Sequence, residues 1–301
     1  MAAQDNTALR GELRFNESLA RYTTWRVGGP ARQFYQPADT SDLVQFIASL
    51  PEDEPLLWLG LGSNLLVRDG GFNGTVIATQ GRLNEISLSA NTKLRIEAGV
   101  SCAKVARFAA RAGLCGVEFL TGIPGTFGGA LAMNAGAFGG ETWTHVISVE
   151  TVDRAGRVHT RTQNDFTIGY RRVERPEGEW FLAATLSLEK GDVSKSQQQI
   201  KDLLARRNDS QPIGQPSCGS VFRNPKGDYA ARLIEAEGLK GYTIGGAQVS
   251  EKHSNFIINT GHAKAADIEA LMQFVKERVH ASSGIELIAE VHVVGEREET
   301  Q

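Results

Sequence analysis

Apolar positions along the chain recur with two different periods, and the switches between them lay out the elements. Four stretches repeat every three to four residues. In Thr40–Leu50 the side chains of Leu43, Ile47 and Leu50 share a face, Thr40 or Ser41 can cap the start, and Pro51 stops the run. Ser101–Ala112 carries Val105, Phe108, Ala109 and Ala112 on one side and ends at Gly113, a residue suited to a helix C-terminal cap. Lys195–Arg207 gathers Ile200, Leu203 and Leu204, and Ala266–Ser282 aligns Ile268, Leu271, Met272, Val275 and Val279. Each pattern predicts a helix whose apolar stripe faces a core.

Shorter apolar runs read as strands: Leu56–Leu59, Thr75–Ala78, Leu94–Ala98, Val146–Val152, Arg157–Thr162, Phe181–Leu188, Asn255–Asn259 and Leu287–Val294. Asp153–Gly156 falls between two of them as a hairpin turn. Helices and strands interleave, but hairpins interrupt any clean βαβ series, so the expected class is α+β. The polar stretch Lys190–Gln199 and the turn-rich Gln211–Pro216 mark the main boundary. They divide the chain into a larger unit over 22–190 and a smaller α+β domain over 207–301.

Composition removes several function classes. With 32 Lys and Arg against 35 Asp and Glu and no basic run, the chain lacks the clustered cations that nucleic-acid binding needs. The cysteines, Cys102, Cys115 and Cys218, are odd in number and show no C-x-x-C spacing, and the histidines form no H-x-x-x-H pair. Neither a disulfide framework nor a metal site is expected. Met1–Leu13 is polar and mixed in charge, unlike a signal peptide, and no apolar run approaches the ~18 residues of a membrane span. A cytoplasmic monomer acting on a small molecule is the expectation. Glycine is the outlier, 33 of 301 residues where about 7% is usual, and the glycines cluster.

Two of those clusters point to a ligand. In Leu59-Gly60-Leu61-Gly62-Ser63-Asn64-Leu65-Leu66 an apolar strand runs into a turn whose bare backbone can approach an anion. It is no dinucleotide fingerprint, because Leu65 stands at the third glycine and Leu-Leu-Val continues as strand. Gly122–Gly140 holds seven glycines and four alanines, leaving little side chain for a core and much backbone for close contact with a flat ligand. Its Ile123, Phe127, Leu131, Met133 and Phe138 seek burial, which a flexible linker would not provide. Tyr22–Ala31 is a further Gly-rich turn after an aromatic strand.

Three other segments carry polar groups without deciding their role. Ser220, in Pro216–Pro225, follows Gly219 at the start of an extended segment, so its hydroxyl can face a ligand or merely cap backbone. Phe222 excludes a nucleophile elbow there. In the last strand, period-two alternation sets Glu286, Ile288, Glu290 and His292 opposite Leu287, Ala289, Val291 and Val293. By pattern alone Glu290 is a solvent-facing carboxylate and Arg171, in Ile168–Arg172, a surface cation.

Taken together, Gly60–Leu66, Gly122–Gly139, Ile168–Arg171, Gly219–Pro225, Ser250–Asn259 and Glu290–Gly295 resemble the UDP-N-acetylenolpyruvoylglucosamine reductases, in that family's order. The resemblance implies a fold of two α+β subdomains, split near residue 85, that clasp FAD in the manner of vanillyl-alcohol-oxidase flavoproteins, followed by a substrate domain. It implies non-covalent FAD, NADPH as reductant and a UDP-sugar substrate in peptidoglycan precursor synthesis. It implies cofactor contacts at Gly60, Gly62, Ser63, Asn64, Leu65, Gly122, Pro124, Gly125, Thr126, Gly128, Gly129, Asn134 and Gly136. It also implies a proton donor at Ser220, stabilisation by Arg171 and Glu290, and substrate contacts at Tyr170, Arg223, Asn224 and His253.

This chain departs from the family pattern in places. Only 48 residues separate Arg171 from Ser220, as in the shorter subtype without the loop that bears a substrate-covering tyrosine. Arg206 and Arg207 are then candidates for the diphosphate, and Arg223, Ile288 and His292 differ from common family choices. Two other readings stand beside this one: a different flavoenzyme on the same scaffold, such as an oxidase, and a non-catalytic nucleotide-binding module.

Overall fold

The computed structural model describes residues 9–298; residues 1–8 of the Met1–Leu13 segment lie outside them. The first sheet has the order Glu12–Ser18, Pro30–Gln36, Phe72–Ala78, Leu56–Leu59, with the first pair antiparallel and the others parallel. Helix α1, Thr40–Ser49, covers one face by burying Leu43, Phe46 and Ile47. Its cap is Asp39, whose carboxylate accepts the Asp42 N–H, and not Thr40 or Ser41. The two N-terminal strands were missed by periodicity. Leu13 and Phe15 remain exposed, so the outer strand offers no alternation to read. Tyr22 ends a 3₁₀ turn, Leu19–Tyr22, where an aromatic strand was expected.

The second sheet is wholly antiparallel, in the order Val158–Arg161, Val146–Val152, Trp180–Ser187, Lys93–Glu97, Ile86–Ala90. The predicted Asp153–Gly156 turn joins its first two strands, with the Gly156 N–H bonded to Asp153 O. Helices α2, Cys102–Arg111, and α3, Phe127–Met133, pack here with Leu94, Val149, Phe181 and Leu186 in one core. Ser101 caps α2 through the Lys104 N–H, and Gly113 beyond its end takes a φ of 69°. Burying each Val or Leu of this core contributes about 1.5–3 kcal/mol. Helix α4, Val193–Ser210, begins inside the stretch read as polar linker. It needs few apolar residues, because Asp192 caps it and Ser196 bonds the buried Glu118 at 2.6 Å.

The C-terminal part is built on a small sheet, Thr243–Ile244, Ala247–Val249 and Ile257–Asn259, with α5, Ala230–Ala236, and α6, Ala265–Ser283. Helix α6 buries the predicted stripe of Ile268, Leu271, Met272, Val275 and Val279. This core also takes in Trp25, Val27 and Leu66 from the N-terminal region. The Trp25 indole donates to Ile257 O at 2.7 Å, and the Asn259 amide donates to Trp25 O at 2.9 Å.

The final strand is shorter than the expected Leu287–Val294. Its backbone changes partners: Glu290 N–H bonds Val221 O, and only His292–Val294 then pairs, in parallel, with Leu65–Val67. Asn255 likewise lies outside its expected strand. Its side chain brackets Phe222, accepting the Phe222 N–H at 3.0 Å and donating to Phe222 O at 2.8 Å.

Candidate active site

One cavity of about 730 Å³ runs between these parts, within the ~300–1,000 Å³ usual for small-molecule sites. Its floor is the two Gly-rich segments, which face each other. A Cβ on Gly60 would come 2.2 Å from Thr126 Oγ1, and one on Gly125 would come 3.2 Å from Ser63 Oγ. Among the described residues, no hydrogen bond takes up the backbone N–H of Leu61, Gly62, Ser63 or Asn64. Four successive free donors beside a strand end form a concave anion site. Bare backbone for a flat ring next to donors for a diphosphate fits a flavin dinucleotide.

Of the residues singled out for the cofactor, Gly60, Gly62, Ser63, Asn64, Leu65, Gly122, Pro124, Gly125, Thr126, Gly129 and Gly136 line this cavity. Gly128 and Asn134 stand behind it. A Cβ on Gly128 would meet that of Ala98 at 2.7 Å, so this glycine serves close packing. Asn134 ends α3 in the left-handed region and is 2% exposed. Its amide donates to Glu141 and to Gly169 O, which ties α3 to the hairpin carrying Arg171.

Ser220, Arg171 and Glu290 reach the same cavity from three different elements. Val221 and Arg223 form backbone bonds with Glu290 and Ile288, so the Ser220 segment lies antiparallel to the chain end, held from behind by Asn255. The Ser220 hydroxyl has no hydrogen-bond partner among the described residues and is open to the cavity. Asn64 fixes the other side of the Glu290 segment, donating to Glu290 O at 3.0 Å. Arg171 sits at the tip of the Thr167–Gly169/Arg172–Glu174 hairpin with a φ of 54°, a conformation that costs about 1–2 kcal/mol outside glycine. There its Nη2 donates to Gly136 O at 2.7 Å and its Nε lies 3.1 Å from Glu290 Oε1.

Glu290 is no surface carboxylate. Burial raises its pKa above the ordinary value, against the opposing pull of Arg171 and Arg223. Tyr170, Arg223 and Asn224 also line the cavity. Asn224 has a second task, accepting the Ala230 N–H at the start of α5. His253 lies outside the lining, edge-on to Phe256 at 4.8 Å, with burial lowering its pKa. Trp58, Phe138, Arg175, Asn255 and His292 line the cavity without having been singled out for it. For Phe138, Asn255 and His292 the signal was available, since all three fall inside quoted motifs; Trp58 gave none.

An FAD-binding domain family matches residues 31–162, and the C-terminal domain family of UDP-N-acetylenolpyruvoylglucosamine reductase matches residues 211–294. Fold and site thus define an FAD-dependent oxidoreductase. The UDP-N-acetylenolpyruvoylglucosamine reductase of Alkalilimnicola ehrlichii is 59% identical over 296 residues, 98% of this chain and 99% of that protein. That of Legionella pneumophila strain Corby is 59% identical over 96% of this chain and 94% of its own length. The crystal structure of the Thermus caldophilus reductase superposes with a TM-score of 0.81 at 34% identity, over 95% of this chain and 99% of that one. The chain belongs to the UDP-N-acetylenolpyruvoylglucosamine reductase family. Its α+β fold, an FAD-binding part followed by a smaller C-terminal domain, is the one that resemblance implied. No helix among the described residues is long and apolar enough to cross a membrane.

Proposed function

We propose that this chain reduces UDP-N-acetylglucosamine enolpyruvate to UDP-N-acetylmuramate with NADPH and FAD, as a step in peptidoglycan precursor synthesis. The chemistry supplied by FAD is hydride transfer, from NADPH in one half-reaction and to the enolpyruvyl double bond in the other. The Gly60–Leu65 turn and the Gly122–Gly129 segment hold the cofactor through backbone. Residues 22–190 form the cofactor unit, in two subdomains divided near residue 85, and 207–301 the substrate domain.

Hydride at the terminal carbon leaves negative charge on the α-carbon and the neighbouring carboxylate. Arg171 neutralises that charge, and Glu290, whose carboxyl burial raises, donates a hydrogen bond to it in its protonated form. Ser220 delivers the proton that completes the α-carbon, which balances one hydride with one proton. Tyr170, Arg223 and Asn224 orient the sugar nucleotide. The protein acts as a cytoplasmic monomer.

The observation that carries this reading is the meeting of Ser220, Arg171 and Glu290 beside the free N–H groups of the Gly60–Leu65 turn. Its test is the visible spectrum of the pure protein. A flavin spectrum should bleach with NADPH and return, without oxygen, on adding the enolpyruvyl UDP-sugar. Return of colour only on admitting oxygen would favour an oxidase.

A further inference from the structure

Two residues reach the Gly60–Leu65 turn from behind, and both lie outside the stretch 31–162 that matches the FAD-binding family. One is Thr24, in the Gly-rich Tyr22–Ala31 segment, and the other is Cys218, in the C-terminal domain. The Thr24 N–H donates to Gly62 O at 3.2 Å, and Thr24 Oγ1 lies 3.4 Å from the same oxygen. Cys218 Sγ stands 3.5 Å from Gly62 O, 3.5 Å from Leu65 O and 3.4 Å from Thr24 Oγ1. Burial pushes that thiol up to about 12, so it carries a proton to donate. Thr24 is itself fixed by its neighbour Trp25, which is fully buried in the C-terminal core and bonded to Ile257 O.

These contacts decide where the donors of the turn point. A trans peptide sets its C=O and N–H in opposite directions, so the plane joining Gly62 to Ser63 turns its carbonyl toward Thr24 and its N–H away. Gly62 has a φ of 63°, and a Cβ there would come 2.2 Å from Tyr22 O, so the turn lies directly on the Tyr22–Thr24 backbone. Ser63 lines the cavity. A peptide that follows a glycine rotates at little steric cost, and if this one turned over, its N–H would leave the cavity. Packing alone would account for a buried thiol. It would not account for three donors gathered around one carbonyl, which has only two lone pairs to offer.

We propose that Thr24 and Cys218 are positioning residues for the cofactor, holding Gly62 O from behind so that the Ser63 N–H stays aimed at the diphosphate of FAD; this rests on the cofactor reading of the turn above. Donors fixed before the ligand arrives lower the ordering cost of binding. The C-terminal domain thereby supplies part of the framework of the cofactor site, through Cys218 and through the core that grips Trp25.

The test follows FAD in the holoenzyme. Thr24→Val and Cys218→Ala should each raise the FAD dissociation constant about threefold to tenfold, as loss of one neutral hydrogen bond does. Flavin fluorescence regained on dilution gives the constant. Thr24→Ser keeps the hydroxyl and should bind FAD within about twofold of the wild-type protein. With FAD in excess, the phosphorus resonances of the bound diphosphate should shift in Thr24→Val and Cys218→Ala and stay in place in Thr24→Ser. Dissociation constants within about twofold of wild type in both Thr24→Val and Cys218→Ala overturn the proposal. Weaker binding with unmoved phosphorus resonances overturns it too, as does a loss in Thr24→Ser with none in Thr24→Val, which would make the residue a packing contact. Valine matches threonine in shape, so misfolding of Cys218→Ala would leave the Thr24 comparison decisive. Wild-type resonances identical to those of free FAD would instead sink the placement of the diphosphate at this turn.

Discussion

Arg171 Nε and Glu290 Oε1 stand 3.1 Å apart, one on a strained hairpin tip and the other near the end of the chain. Both side chains are largely buried, at 19% and 15% exposure. A closed ion pair would hold the acid below its usual range, yet burial outweighs the arginine here and the carboxyl is raised. The Nε–H is not aimed at the oxygen and has no hydrogen-bond partner, so the contact is one of distance only. Burial thus favours the protonated carboxyl more than in a free glutamate, with the Arg171 guanidinium beside it.

That arrangement sets a pH dependence. A raised pKa means that Glu290 is protonated at low pH and loses its proton as pH rises through that elevated value. Flavin reoxidation by the enolpyruvyl sugar should be level on the acid side and fall on the alkaline side. Glu290→Gln should remove that alkaline limb and slow reoxidation by about 10²-fold. Reduction by NADPH should suffer less. Stopped-flow traces over pH separate the two halves, and equal loss in both would reduce Glu290 to a support for the cofactor or the fold.

Ser220→Ala should leave FAD content and NADPH-dependent bleaching close to normal, because the backbone bonds that hold the segment at Val221, Phe222 and Arg223 do not involve the hydroxyl. Reoxidation at saturating substrate should drop by about 10²–10⁴, the usual worth of a positioned acid. A drop under about threefold, roughly 0.6 kcal/mol, would remove Ser220 from the proton-donor role.

FAD should leave the protein intact. Two cavity residues, Cys218 and His292, are of types that could attach a flavin, but Cys218 is poorly suited. Burial pushes its thiol up to about 12, and the sulfur lies 3.5 Å from both Gly62 O and Leu65 O. Acid precipitation should release all of the yellow colour to the supernatant, and flavin retained in the pellet would contradict this.

The cysteines should also differ in reactivity. Cys102 and Cys218 are buried thiols pushed up to about 12, so almost none is thiolate at neutral pH. Cys115 is raised as well but only half-buried. Iodoacetamide at mildly alkaline pH should modify Cys115 alone in the native protein and all three cysteines after unfolding. Peptide mass analysis gives the count, and native labelling at Cys218 would show that its cavity wall opens.

Local pattern determined what local physics controls. The stripe of α6, the cap of α2 at Ser101, the Asp153–Gly156 turn and the two Gly-rich segments were legible because period, capping and turn chemistry are encoded within a few residues. Edge strands such as Glu12–Ser18 were not, since an exposed strand need not alternate. Nor was α3, whose Phe127-Gly128-Gly129 start looks like loop until Ala98 packs against Gly128. The site was legible only as separate motifs. By pattern Glu290 is a surface carboxylate and Arg171 a surface cation. What makes them a pair is tertiary: Asn64 and Asn255 hold the segments of Glu290 and Ser220 beside the Gly60–Leu65 turn, and the Arg171 hairpin reaches Glu290. Burial then raises the carboxyl, and burial is a property of the assembled protein, since it depends on which distant segments exclude water from that side chain.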